Sequence, residues 1–253
     1  MAALQCHRHL LLEGPVGVGK TFLTQLCCEK LDRPFIRINA DDRYNAKQLT
    51  GYHDPSIVLK QGYSDNSFIS GPLVNAMKTG AVLFINEMNR LPEYTQNVLL
   101  TSMDEGVLDI PSGNVVHAKS GFCVIGTQNP DSFIATHPMS EALKDRLDWI
   151  KIDYQPKEEE CAIVQNHCPT AELTLIERAV DIVRATRNDP RFLKGGSIRA
   201  AMAIVELATE LDGDLQMAIK MALYNRVQCQ EDKDTIIDTL VAETEKKKHS
   251  MTA

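Results

Sequence analysis

No apolar run in this chain approaches the ~18 residues that a membrane-spanning helix requires. The first residues also lack the charged-then-apolar order of a secretory signal, so the expectation is a soluble, cytoplasmic protein with no membrane span. Paired cysteines are missing as well. The seven cysteines, Cys6, Cys27, Cys28, Cys123, Cys161, Cys168 and Cys229, are odd in number, scattered and mostly set in apolar runs, which argues for reduced core residues rather than a disulfide framework. Cys161, His167 and Cys168 form the one cluster of metal-ligating types; with no second pair at ligand spacing, helix packing accounts for it better. A surplus of positive charge is absent too. Lys and Arg number 27 against 34 Asp and Glu, a net charge of −7, which is poor footing for neutralising a phosphate backbone. The basic run Lys246-Lys247-Lys248 reads as a solvated helix end favoured by the helix dipole, and no nucleic acid partner is expected.

What the chain does have is a phosphate loop. Gly14-Pro15-Val16-Gly17-Val18-Gly19-Lys20-Thr21 fits G-x-x-x-x-G-K-T and lies between the apolar run His9–Glu13 and a helix-like stretch that begins at Thr21 and Phe22. A strand that ends in a glycine-rich turn and opens a helix aims several backbone N–H groups at one point, and the helix dipole strengthens that anion site. Lys20 is placed to reach the β- and γ-phosphates of ATP, and the Thr21 hydroxyl to hold a magnesium ion between them. At 253 residues, one α/β core with a small appendage fits best, and roughly 70–75% of the unfolded surface is buried on folding, so no disulfide or metal staple is required.

Along the chain, Phe22, Leu23, Leu26, Cys27 and Leu31 recur at helical spacing and predict one buried face. Pro34–Asn39 reads as a strand with Asn39 at its carboxyl end, a weak site candidate. Residues 40–70 are polar without a stable period and read as an insertion carrying short elements, followed by a short helix that Gly80 stops. Ala81–Ile85 is a buried strand ending in Asn86-Glu87. Phosphate-loop enzymes commonly end this strand in Asp-Glu, the first orienting magnesium and its waters and the second polarising the attacking water. With Asn86 in the first position the amide oxygen can still accept from a magnesium-bound water, but one negative charge is lost; Glu87 stays as general base. Pro92–Met103 is an amphipathic helix, and residues 107–118 carry a hairpin signal around Pro111-Ser112-Gly113. The strand Phe122–Gly126 leads into Thr127-Gln128-Asn129-Pro130; Asn129 could bond the γ-phosphate or the attacking water, or the pair could be a plain turn. Arg146 ends a short helix and could equally serve as a helix-terminal ion-pair partner, and Trp149–Tyr154 is the last strand. Beyond Lys157 the pattern is helical: Leu173, Ile176, Val180 and Val183 make one stripe, Ser197 caps a helix carrying Ile198, Arg199, Met202 and Val205, and Asp214 caps another. A small helical bundle over 157–245 is expected.

Taken together, Leu12-Glu13-Gly14-Pro15, Asn86-Glu87-Met88-Asn89-Arg90-Leu91-Pro92, Thr127-Gln128-Asn129-Pro130 and Gly195-Gly196-Ser197-Ile198-Arg199-Ala200 resemble the AAA+ ATPases, and within them the MoxR group, over nearly the whole chain. The resemblance implies a three-layer α/β sandwich with a five-stranded parallel sheet over residues 1–155 and a small all-α lid over 156–253. It implies Asn129 as first sensor, Arg146 as an arginine finger acting on a neighbour, and Arg199 as second sensor. It further implies a homo-oligomeric ring, of hexamer type, in which the insertion and the 107–118 hairpin face the pore and remodel a protein client, often with a von Willebrand factor A domain partner. Two departures stand out. Asn86 replaces the family's magnesium aspartate, which leaves a nucleotide-gated module with little hydrolysis as the alternative, and Met1–Gln5 resembles a remnant of the helix that usually precedes the first strand.

Overall fold

Leu10, Leu11 and Leu12, Val82 to Ile85, and Cys123 to Ile125 are continuous apolar runs, and a run without alternation is stable as a strand only if both its faces are covered. The computed structural model describes residues 1–130, 137–230 and 232–251, with side chains described as far as residue 244. In it these runs are the middle of a parallel sheet. The chain divides into two units, Met1–Pro15 with Gly19–Ile152, and Val16–Val18 with Asp153–Ala253.

In the first unit the elements run α1 (Ala2–Gln5), β1 (Leu10–Glu13), α2 (Lys20–Lys30), β2 (Phe35–Asn39), α3 (Ala46–Thr50), β3 (Gly51–His53), α4 (Pro55–Gln61), β4 (Phe68–Ser70), α5 (Pro72–Thr79), β5 (Val82–Asn86), α6 (Glu93–Asp104), β6 (Val107–Asp109), β7 (Val115–His117), β8 (Cys123–Gln128), α7 (Glu141–Asp145) and β9 (Asp148–Lys151). The sheet order is β2-β5-β8-β1-β9, all parallel, so every strand delivers its carboxyl end to one edge. One face is covered by a cluster that includes Leu11, Leu83, Ile85, Leu73, Met77 and Leu99, the other by Leu10, Leu12, Val82, Phe84, Cys28 and Ile125. The polar stretch 40–70 forms α3, the β3–β4 hairpin and α4, and β6–β7 is a second antiparallel pair.

The helix after the loop differs from the periodicity reading. Phe22 is 72% exposed and Leu23 also faces solvent, while Thr24 and Cys28 are buried with Cys27 and Leu31 beside them. The rotation of α2 is set where the chain enters it, with Gly19 left-handed at the N-cap and Lys20 folded onto the loop carbonyls, and that phase turns residues 22 and 23 outward.

The second unit holds α8 (Lys157–His167), α9 (Leu173–Asn188), β10 (Phe192–Lys194), α10 (Ile198–Glu210), α11 (Leu215–Leu223), β11 (Gln228–Cys229) and α12 (Lys233–Met251). It is helical around Ile176, Val180, Val183, Ile204 and Ile219, but the short antiparallel β10–β11 ribbon makes it less than purely helical. Leu173, expected in the stripe of α9, is 64% exposed because it is the first residue of the helix, where the chain has yet to reach the core. Asp214 does cap α11, accepting from Met217 N at 3.0 Å, whereas Ser197 precedes α10 without a side-chain capping bond. Glu160 is 1% exposed and carries two arginines, Arg184 at 2.8 Å and Arg187 at 2.7 Å. Arg187 also stacks on the Tyr154 ring at 3.8 Å and donates to Gly196 O at 2.7 Å. The side chains of Lys246, Lys247 and Lys248 lie outside the described residues.

At the amino edge of the sheet, His9 Nδ1 accepts from Val124 N at 2.9 Å and its Nε2–H donates to Met103 O at 3.2 Å, which requires the neutral ring. Burial lowers its pKa from the ordinary 6.5 and Arg8 adds to this, against the opposing pull of the Met103 carbonyl, Asp104 and Asp148. The folded state therefore binds this proton less readily than the unfolded chain, so the stability His9 contributes is full above the unfolded value and is lost as pH falls below it. We expect the urea midpoint to drop between pH 7.5 and pH 5.5, and the drop to shrink in His9→Gln; an equal drop in both proteins would show that other groups carry it.

Candidate nucleotide site

The loop between β1 and α2 turns through two left-handed glycines, Gly17 at φ +85° and Gly19 at φ +86°, the latter the residue that opens α2. A side chain there would strain the backbone even though nothing crowds Gly19, so the requirement is for the dihedral and not for space. Lys20 Nζ donates to Gly14 O at 2.7 Å and to Pro15 O at 2.9 Å, which brings the ammonium over the loop itself. Gly14 N in turn donates to Gln128 O, and Gln128 Nε2 is bonded to the Glu13 carboxylate, tying the loop's first residue to the end of β8. Thr21 is half-buried in the first turn of α2. Val16, Gly17 and Val18 group with the second unit.

Register brings the other predicted groups to the same edge. Asn39 pairs with Asn86 and Leu12 with Thr127, so β2, β5, β8 and β1 end almost level, with Asn129 directly after β8. The turn after β5 is held in an unusual shape: Glu87 is left-handed at φ +57°, and a 3-10 turn Met88–Arg90 follows. Three contacts hold it. Glu87 N donates to Thr127 Oγ1 at 2.9 Å; Met88 packs against Gly126 so closely that a Cβ there would stand 2.6 Å from the sulfur; and Gln96 Nε2 donates to Leu91 O at 2.9 Å. The Glu87 carboxylate meets Arg90 Nη1 at 3.1 Å. Thr127 Oγ1 also donates to Asn86 Oδ1 at 3.2 Å, so one hydroxyl, on a residue 1% exposed, spans both residues of the Asn-Glu pair.

Thr127 and Arg90 belong to the motifs quoted above, yet neither drew attention as a working side chain. Only the pairing of β5 with β8 shows what Thr127 reaches; the spacing of Arg90 three residues after Glu87 is a usable signal for an ion pair.

Of the other named residues, one stands at the opposite edge of the sheet and one belongs to the second unit. Arg146 follows α7 and precedes Asp148, which pairs with Leu10 at the start of β1, so it stands at the amino edge of the sheet, opposite the loop. There its guanidinium grips Asp104 at the end of α6, with Nε to Oδ1 at 2.6 Å; this pair raises the Arg146 pKa and lowers that of Asp104. Arg199 is exposed on the first turn of α10 in the second unit.

As a set of donors for a divalent cation the edge is poor in charge. The Thr21 hydroxyl fits an ion that arrives with phosphates, but the Asn86 oxygen is already bonded to Thr127 and the Glu87 carboxylate to Arg90. Among the described residues no group of three His, Cys, Asp or Glu side chains could hold a metal by itself, and this includes Cys161, His167 and Cys168.

Replacing Thr127 by the isosteric valine leaves the Glu87 N–H and the Asn86 oxygen without their shared partner. We expect a loss of about 1–3 kcal/mol in stability by urea denaturation; a midpoint unchanged from wild type would show that the hydroxyl does not hold this turn.

Known proteins carry the same fold. A structure from Cytophaga hutchinsonii, described only provisionally as an ATPase, superposes with a TM-score of 0.53 at 21% identity and covers 95% of this chain and 86% of its own. A mutant of Thermotoga maritima RuvB superposes with a TM-score of 0.55 at 18% identity, covering 88% of this chain and 66% of its own. In sequence, an uncharacterized protein of Staphylococcus saprophyticus is 29% identical over 94% of this chain and 91% of its own length, and one of Staphylococcus aureus 27% identical over 94% and 92%. Residues 9–147, more than half of the chain and the span from His9 to the end of α7, match the family described as AAA domain (dynein-related subfamily). A glycine-turned loop between β1 and α2, flanked by level strand ends and followed by a helical unit, is thus the nucleotide-binding architecture of the AAA ATPase family, dynein-related subfamily, to which this chain belongs.

Proposed function

We propose that this protein is an ATPase of MoxR type that binds and hydrolyses ATP in a homo-oligomeric ring, of hexamer type, and spends the free energy on remodelling a protein client. The observation that carries the reading is the junction of β1, the loop and α2, with Lys20 Nζ poised over the loop and the Asn86-Glu87 turn two strands away at the same edge. The loop Gly14–Gly19, through the amides that follow Pro15, and the Lys20 ammonium take the phosphates, and Phe22 lies just beyond them. Magnesium bound with ATP would neutralise charge on the β- and γ-oxygens, and Thr21 is the residue that would hold it. Glu87 accepts the proton of a water that attacks the γ-phosphorus as the bond to the β-phosphate oxygen breaks, giving ADP and phosphate. Asn129 orients that water.

Arg146 stands at the edge opposite its own loop, which suits a cation that works on the neighbour's nucleotide; Arg199 works from the helical unit and reports the bound state. The apolar side chains exposed on the 40–70 insertion, Leu59, Tyr63, Tyr52 and Ile69, suit contact with a client, with a von Willebrand factor A domain protein as the expected partner. The role proposed is a cytoplasmic one; no helix among the described residues is long and apolar enough to cross a membrane.

A second reading, a nucleotide-gated assembly module that hydrolyses little, is favoured by the uncharged Asn86 and by the pairing of Glu87 with Arg90. Phosphate release and ATP binding separate the two. Lys20→Ala is expected to weaken ATP binding roughly 10- to 100-fold. Glu87→Gln should keep binding and slow release on the order of 10²- to 10⁴-fold. Release by the Glu87→Gln protein at the wild-type rate would remove Glu87 as base, and a wild-type protein that binds ATP without measurable turnover would establish the module.

A further inference from the structure

The orientation of one amide decides how the triphosphate meets β5. The Thr127 hydroxyl has a single proton. Its oxygen accepts the Glu87 N–H at 2.9 Å, and its proton goes to Asn86 Oδ1 at 3.2 Å. In a hydroxyl this deeply buried, leaving the proton unshared is costly, so the Asn86 oxygen stays turned to Thr127 and the amide Nδ2 is the end turned away from it. That group donates and cannot accept, so it has no lone pair to offer a cation or the O–H of a cation-bound water. It has two N–H bonds to give a phosphate oxygen.

Charge points the same way. A carboxylate in place of Asn86 would face the triphosphate as a like charge and would need a cation between them. Asn86 carries no charge, and the carboxylate next to it, Glu87, lies 3.1 Å from the Arg90 guanidinium. The turn Asn86–Arg90 therefore presents no net negative charge to an anion, while Lys20 supplies a positive one on the neighbouring helix.

We infer that Asn86 is a phosphate-binding residue, its amide donating to the terminal phosphate oxygens of the nucleotide, and that this site holds ATP with little help from a divalent cation. The inference rests on the nucleotide reading above and specifies its metal dependence.

Equilibrium binding of ATP by calorimetry, with excess magnesium and again with excess EDTA, tests it in the full-length chain. The wild-type Kd should change less than about threefold between the two conditions. Asn86→Asp should bind well with magnesium and lose about tenfold or more in EDTA, where its carboxylate faces the bare triphosphate. Asn86→Leu, which removes the donor without adding charge, should be weaker by about three- to tenfold in both conditions. Circular dichroism melts establish that each variant is folded; should Asn86→Asp fail to fold, the wild-type and Asn86→Leu measurements decide. A wild-type protein that loses tenfold or more on chelation overturns the inference, as does an Asn86→Leu protein with unchanged affinity. Absence of ATP binding by the wild type in either condition overturns the nucleotide reading and this inference with it, an outcome distinct from binding that requires magnesium.

Discussion

The Thr127 hydroxyl is the constraint on which the carboxyl edge of the sheet depends. A parallel sheet brings strand ends level, but it does not by itself determine what the residue after a strand will do. Glu87 sits in a left-handed conformation that a residue with a Cβ adopts only at a cost of order 1–3 kcal/mol, and the cost is met by the bond from its N–H to Thr127 and by the packing of Met88 against Gly126. The same oxygen also sets the rotation of the Asn86 amide. Two residues adjacent in sequence are thereby aimed by a third that lies forty positions away and one strand over, and the geometry of the turn and the polarity of the site are a single property.

Much of the fold was legible because it is written in local chemistry. The apolar runs at Leu10, Val82 and Cys123 could only be doubly covered strands, and the glycine-Lys-Thr loop could only join a strand to a helix. Gly80 stops α5 in a left-handed conformation, and Asp214 caps α11, as their residue types suggest. The rest depended on pairing. Periodicity placed Phe22 and Leu23 inside because it cannot know the phase of a helix whose rotation is imposed by the loop before it. Spacing cannot show that Thr127 reaches across to Asn86, nor that the oxygen of Asn86 is engaged. The β10–β11 ribbon escaped notice for a similar reason: each strand is too short to show alternation, and only the partner makes it a strand.

The two edges of the sheet are chemically unlike. The carboxyl edge gathers the side-chain amides of Asn39, Asn86 and Gln128 with the Lys20 ammonium, and its carboxylates are engaged, Glu13 by Gln128 and Glu87 by Arg90. The amino edge gathers opposed charges in pairs, Arg8 with Asp148 and Arg146 with Asp104, around the neutral His9. Four residues of β1 separate them, a little over 10 Å at strand rise.

In the helical unit, the start of α10 takes its position from α9. Thr186 accepts the Gly196 N–H, Arg187 donates to the Gly196 carbonyl, and Arg187 is itself locked by a buried carboxylate and the face of Tyr154. Gly195 lies against the Arg187 backbone with no room for a side chain. The bearing of Arg199 is therefore inherited from the helix before its own. Along a diverging lineage, changes at Glu160, Thr186 or Arg187 would be tolerated only in concert, and substitutions that look silent in isolation would redirect an arginine a helix away.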